Sequence, residues 1–106
     1  MKIKVMADFT SSGLWDEDDE GIMIDYDELK ISEPLAKEFE AWINFYDTCF
    51  EDDYDTFKKG MSEKLNATGL ELAKKLKMEI PNIKVSYWHE LDGTDWKDRI
   101  RVEEIK

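Results

Sequence analysis

Carboxylates are the side chains of this sequence with the most chemistry to offer. Asp16, Glu17, Asp18, Asp19 and Glu20 form one unbroken run behind Trp15, and Glu51, Asp52, Asp53 and Asp55 form a second cluster around Tyr54. Three uses of that pattern differ in what they need. A calcium loop needs oxygen ligands at fixed spacing: Asp16, Asp18 and Glu20 take positions one, three and five, Gly21 takes six, Met23 is the apolar eighth, and Asp27 falls at twelve. Against it, Glu is unusual at five, twelve carries the shorter Asp, and a strand and a Ser-Ser-Gly turn precede the run where a helix belongs. No metal ligand is assigned and no cofactor is implied. A solvated face needs nothing further. A partner surface needs an apolar anchor within the charge, which Trp15 supplies, so that Asp16–Glu20 and Glu51–Asp55 steer a basic protein in and then pair with its Arg and Lys.

Other reactive side chains point away from catalysis. His89 is the single histidine, on the same strand phase as Ile83, Val85 and Tyr87, and acid–base work would need an oriented partner that the sequence does not indicate. Cys49 lies on a helical stripe between Tyr46 and Phe50 with no flanking base to lower its pKa, the setting of a small buried hydrophobe. With 26 Asp and Glu, some carboxylate pair always falls at a spacing suited to glycoside chemistry, so pairs carry no information. The chain reads as a non-enzyme.

Charge narrows the partners. Fifteen Lys and Arg against 26 Asp and Glu leave −11 on 106 residues, beyond what solubility requires. A field of that sign repels nucleic-acid phosphate and anionic lipid and attracts cationic proteins, so neither nucleic acid nor membrane is expected as a partner. At this length one domain, residues 1–106, can bury roughly two-thirds of its unfolded surface. A lone cysteine, no secretory signal and no apolar run near the roughly 18 residues of a span predict a reducing cytoplasm.

The elements that must position the acids follow from periodicity. Ile3, Val5 and Ala7 alternate with Lys2, Lys4 and Met6, predicting a strand over Lys2–Asp8 that stops at Thr10–Gly13. The acidic run then reads as a loop, with a short strand at Ile22–Ile24 near a sheet edge. Ser32 is a good N-cap, with Glu33 and Pro34 in the first turn, and Leu35, Phe39, Trp42, Ile43, Tyr46, Cys49 and Phe50 make one apolar stripe. A second helical region spans Thr56–Ile80, weakened at Gly60, Asn66 and Gly69 and open to a break near Asn66. Gly69 sits on its apolar face, which suits the close approach of a neighbouring backbone. After Pro81, Asn82–Glu90 alternates as a strand, Asp92-Gly93 signals a hairpin, and Trp96–Glu103 pairs antiparallel while burying Ile100 and Val102. Two helices between two strand pairs imply an α+β fold: about four mostly antiparallel strands with two to three helices on one face. A strand after Pro81 lying parallel beside the first would need a right-handed crossover. Trp42 and Tyr46 belong to the core stripe; Tyr26, Tyr54 and Trp88 join Trp15 as candidate contacts.

The opening Met-Lys-Ile-Lys-Val-Met-Ala-Asp-Phe with Ser-Ser-Gly-Leu-Trp-Asp, the helix start Ile-Ser-Glu-Pro-Leu, and Thr-Gly-Leu-Glu-Leu-Ala-Lys-Lys-Leu-Lys resemble small acidic bacterial proteins encoded beside polymorphic toxins. They are similar in type to immunity proteins of contact-dependent growth inhibition systems. That resemblance implies a cytoplasmic antitoxin that binds the C-terminal toxin domain of a cognate effector and blocks its active site or substrate surface. A nuclease toxin is basic where it holds phosphate, and an acidic inhibitor fits it. The resemblance transfers no binding residue: Trp15, Asp16, Glu17, Asp18, Asp19, Glu20, Glu51, Asp52, Asp53 and Asp55 are candidates from charge and exposure alone. Two rival readings are an acidic nucleic-acid mimic that inhibits DNA-binding proteins and a calcium-binding module.

Overall fold

A computed structural model describes residues 1–19, 21–54, 56–91 and 100–106. Its elements run β1 (Lys2–Val5), β2 (Leu14–Asp16), β3 (Ile22–Met23), α1 (Tyr26–Leu29), α2 (Glu33–Asp47), α3 (Met61–Glu79), β4 (Lys84–Glu90) and β5 (Ile100–Ile105). The sheet has five strands in the order β3-β2-β1-β4-β5. Only β1 and β4 pair in parallel, so the chain leaves the β1–β3 meander, passes through the helices and returns beside its first strand. The α+β architecture agrees with the sequence expectation. The extra strand is β2, which takes Leu14, Trp15 and Asp16 out of the expected loop and into the sheet.

α2 forms where the local signals put it. Ser32 Oγ accepts from the Leu35 N–H at 3.3 Å, and Pro34 sits in the first turn where it forfeits no bond. The Ser32 N–H and hydroxyl also donate to the Glu79 carboxylate at 2.8 and 2.6 Å, which ties the start of α2 to the end of α3. Leu35, Phe39, Trp42, Ile43 and Tyr46 are buried on one face, and the stripe continues past the helix end into buried Cys49 and Phe50.

α3 departs from the expected Thr56–Ile80 region at its start and resolves the question left open at Asn66. It starts at Met61 rather than near Thr56, because Phe57 pairs with Phe50 in an isolated antiparallel bridge and the Lys58 N–H donates to the Cys49 carbonyl at 2.8 Å. It also runs unbroken through Asn66. That side chain donates to the Glu90 carbonyl at 2.6 Å and accepts from the Glu90 N–H at 2.9 Å and the Tyr87 hydroxyl at 3.0 Å. A residue with poor helix propensity is thereby repaid by contacts to β4.

The core lies between one sheet face and the helices. Ile3, Val5, Leu14, Val85 and Tyr87 point inward and are almost wholly buried. Trp42 bridges the layers: its ring centroid is 6.1 Å from that of Tyr87, and its indole N–H donates to the Leu65 carbonyl at 3.0 Å. Gly69 is closely approached, though by two side chains and not by the neighbouring backbone expected: a Cβ there would stand 2.5 Å from both the Trp42 and Tyr87 rings.

β5 corrects one expectation. Val102 pairs with Trp88, which puts both on the face away from the helices, and Val102 is 50% exposed; Ile100 is half-buried, and Ile105, opposite Val85, is the buried residue of the strand. The Asp92-Gly93 hairpin and the Trp96–Arg99 part of the expected strand fall outside the described residues.

Candidate interaction surfaces

The two acidic clusters occupy opposite ends of β1. At its start, the Lys2 N–H donates to Asp18 Oδ2 at 2.9 Å, and the Glu17 N–H donates to the Lys2 carbonyl at 3.0 Å. Past its other end, Phe9 lies 6.2 Å from the Tyr54 ring and 5.5 Å from that of Phe50. The candidate partner residues therefore make two separate regions. Glu20 and Asp55 lie outside the described residues.

The first region is a hairpin turn between β2 and β3. Asp16 Oδ1 accepts from the Asp18 N–H at 2.9 Å, and the Asp16 carbonyl accepts from the Gly21 N–H at 3.0 Å. Asp16 and Asp18 thus spend a carboxylate oxygen on backbone N–H groups, the usual role of Asp in tight turns. Glu17 pairs with Lys2 Nζ at 3.8 Å and accepts a short hydrogen bond from the Ser86 hydroxyl. Asp19 is exposed. The calcium-loop spacing consequently falls on a strand–turn–strand unit, not between two helices. Among the described residues no group of three or more His, Cys, Asp or Glu is placed to hold a metal ion.

The second region is a turn that displays Tyr54. The Tyr54 N–H donates to the Glu51 carbonyl at 2.9 Å, and the Glu51 N–H to the Thr56 carbonyl at 2.8 Å. Asp53 closes the turn by accepting from the Thr56 N–H and hydroxyl at 2.9 and 2.8 Å. Tyr54 has φ +55°, a left-handed conformation that costs roughly 1–2 kcal/mol for a residue with a Cβ, and its side chain is 68% exposed among Glu51 and Asp52, which are exposed as well.

Trp15 is half-buried, less open than its acidic neighbours suggest, and its indole N–H donates to the Met6 carbonyl at 2.9 Å. Strand pairing sets it in a row on the helix-free face of the sheet: Met23, Trp15, Lys4, Ser86 and Glu104 stand side by side from β3 to β5. Trp88 and Val102 form the next row on that face. Lys4 Nζ lies 4.3 Å from the Trp88 ring centroid and 5.8 Å from that of Trp15, within reach of cation–π attraction to both. Trp88 Nε1 is closed off from solvent and has no acceptor among the described residues. Sequence reasoning took Trp15 and Trp88 singly. What joins them is Lys4, and the β1–β4 pairing that brings it to Trp88 spans some eighty residues of chain.

His89 is buried on the strand phase expected of it, and it has a partner that the sequence does not indicate. Its Nε2 lies 2.9 Å from Glu103 Oε1, and Arg101 approaches the ring at 3.5 Å. The ring is buried edge-on against Tyr87 at 4.7 Å. The missing signal was the register of β5, which places Arg101 opposite His89 and Glu103 opposite Tyr87. Burial pushes the Cys49 thiol up to about 11, helped by Glu90 and opposed by Lys58, which keeps it protonated and unreactive at neutral pH. Between α2 and α3 lies an open apolar groove of about 600 Å³ lined by Ala41, Trp42, Phe45 and Leu72 among others.

These features define a small acidic domain: a helix-backed sheet whose helix-free face carries half-buried Trp15, Lys4 and Trp88, with two charged turns at the ends of its first strand. Residues 1–90 match the family model described as Serratia CdiI immunity protein-like, and the chain belongs to that family of contact-dependent growth inhibition immunity proteins. A comparison with curated proteins finds no match. Among the described residues no helix is long and apolar enough to cross a membrane.

Proposed function

We propose that the chain is a cytoplasmic antitoxin that binds the C-terminal domain of its cognate effector, a basic nuclease, and occludes its active site or substrate surface without catalysis of its own. Membership of an immunity family supplies the role; the observation that carries the finer reading is the −11 charge. A nuclease gathers cations where it holds phosphate, and a polyanionic inhibitor meets them with a complementary field that raises the association rate and selects the partner. Asp19, Glu51 and Asp52 support it, because their carboxylates are exposed and make no hydrogen bond or ion pair among the described residues.

The test is capture of the C-terminal fragment of the large effector encoded beside this chain, with growth scored with and without the chain and nuclease activity assayed on the purified fragment. Stoichiometric capture, rescued growth and loss of nucleic-acid cleavage are expected. Capture of several unrelated DNA-binding proteins in place of that fragment would overturn the reading in favour of a general nucleic-acid mimic. Capture and rescue with a fragment that cleaves no nucleic acid would leave the antitoxin role and remove the nuclease.

A further inference from the structure

We propose that the helix-free face of the sheet is the docking face for the toxin domain, and that Lys4, held between Trp15 and Trp88, takes a carboxylate of that domain. This inference rests on the antitoxin reading above and adds to it a surface and a chemistry.

Lys4 is the anomaly that points there. Acids outnumber bases by 26 to 15, and the lysines that lack an ion pair among the described residues are exposed apart from Lys4 and Lys77; of the half-buried lysines, Lys2 pairs with Glu17 and Lys77 donates to the Pro81 and Ile83 carbonyls. Lys4 Nζ rests over two indole rings, and among the described residues it has no hydrogen bond and no ion pair. Of the acids on that face, Glu17 is committed to Ser86 and Lys2, and Glu104 stands one strand further along the row, beyond Ser86, with no ion pair to Lys4. A half-buried cation framed by aromatics and lacking a counter-ion is one half of a charge pair. The other half is supplied by a partner that presents an acid within apolar surroundings matching Trp15, Trp88 and Val102.

The size of the face agrees with such a partner. Strands of four, three, two, seven and six residues, at about 3.3 Å per residue and about 4.8 Å apart, make a sheet face of roughly 350 Å². That is a little under half of the roughly 800 Å² that each side of a standard interface covers. The remainder falls on the rim, where the Glu17–Asp19 turn adjoins Ser86. A basic domain that meets acids at the rim and places one of its own acids on Lys4 fits an alternating charge pattern. A generic basic protein without that acid leaves Lys4 desolvated and unpaired, so the position discriminates partners as well as binding one.

The experiment measures binding of the adjacent effector's C-terminal domain to wild type, Lys4→Met, Val102→Glu and Met78→Glu. Met78 is 81% exposed on α3, on the opposite side of the molecule, and serves as control; urea unfolding verifies each fold. Val102 is exposed, so its variant stays folded even if Lys4→Met does not. At least tenfold weaker binding for Lys4→Met and Val102→Glu, with Met78→Glu unchanged, is expected. Wild-type capture with both face variants binding normally would overturn this inference and leave the antitoxin reading intact. No capture by wild type would overturn both. Sedimentation showing a wild-type dimer that Val102→Glu dissolves would assign the face to a second copy of this chain and equally overturn the inference.

Discussion

Replacing Gly69 by Ala tests the packing at the centre of the molecule, because two effects of opposite sign compete there. In a helix interior Ala is favoured over Gly by about 0.8–1 kcal/mol, so propensity alone makes Gly69→Ala stabilising. The added Cβ, however, would stand 2.5 Å from Trp42 Cζ2, Tyr87 Cε1 and Tyr87 Oη, about 1 Å inside ordinary carbon contact. Neither ring yields cheaply. Trp42 and Tyr87 are 2% and 1% exposed, and hydrogen bonds to the Leu65 carbonyl and to Asn66 Oδ1 pin their polar ends. Overpacking of this kind costs about 1–3 kcal/mol, and loosening one of those bonds adds about 1 kcal/mol. After the propensity gain the net loss is about 1–3 kcal/mol. In urea, with a slope of about 1–3 kcal/mol/M for a small domain, the midpoint falls by roughly 0.5–2 M. Ala67→Gly, two residues away on the exposed side of the same helix, is the internal control: there Gly is the worse residue by about 1 kcal/mol. A Gly69→Ala midpoint equal to or above wild type would refute the claim that the Trp42–Tyr87 contact dictates glycine.

Three further outcomes are expected. Ser32→Ala removes the α2 cap and the hydroxyl bond to Glu79 while keeping the backbone N–H bond to that carboxylate, and thermal unfolding is expected to record a loss of about 1–2 kcal/mol; an unchanged melting temperature would mean that neither hydroxyl contact contributes. The combined Asp19→Asn, Glu51→Gln, Asp52→Asn variant slows association with the toxin domain several-fold at low salt and flattens its salt dependence, with stability within about 0.5 kcal/mol of wild type, and stopped-flow mixing across ionic strength measures it. Alkali destabilises the fold. Burial raises Tyr26 from 10.0 to about 12, aided by Glu40, and burial raises Cys49 from 9.0 to about 11. The unfolded chain therefore releases protons that the folded chain keeps, so the contribution is complete below about pH 9 and is lost as pH rises through about 12. Urea midpoints measured across that window fall, and Cys49→Ala flattens the segment between about pH 9 and 11.

Much of this protein is fixed by signals local in its sequence. The N-cap Ser32, Glu33, Pro34 and the 3.6-residue recurrence from Leu35 to Phe50 specify α2 within one stretch, because capping and amphipathic burial act over a few turns. The alternation of Ile83, Val85, Tyr87 and His89 likewise specifies β4 and its inward face, and composition alone sets the sign of the protein's net field. Tertiary structure decided everything that depends on pairing distant residues. β2 is three residues long and exists because β1 and β3 flank it, which no local propensity reports. α3 continues through Asn66 because Glu90 and Tyr87 satisfy that side chain from another element. Val102 faces outward because its register with Trp88 put it there; a period of two says that neighbours alternate, not which set is inside. Lys4, Trp15 and Trp88 likewise form one face only through the β1–β2 and β1–β4 ladders, whose contacts join segments far apart in the chain.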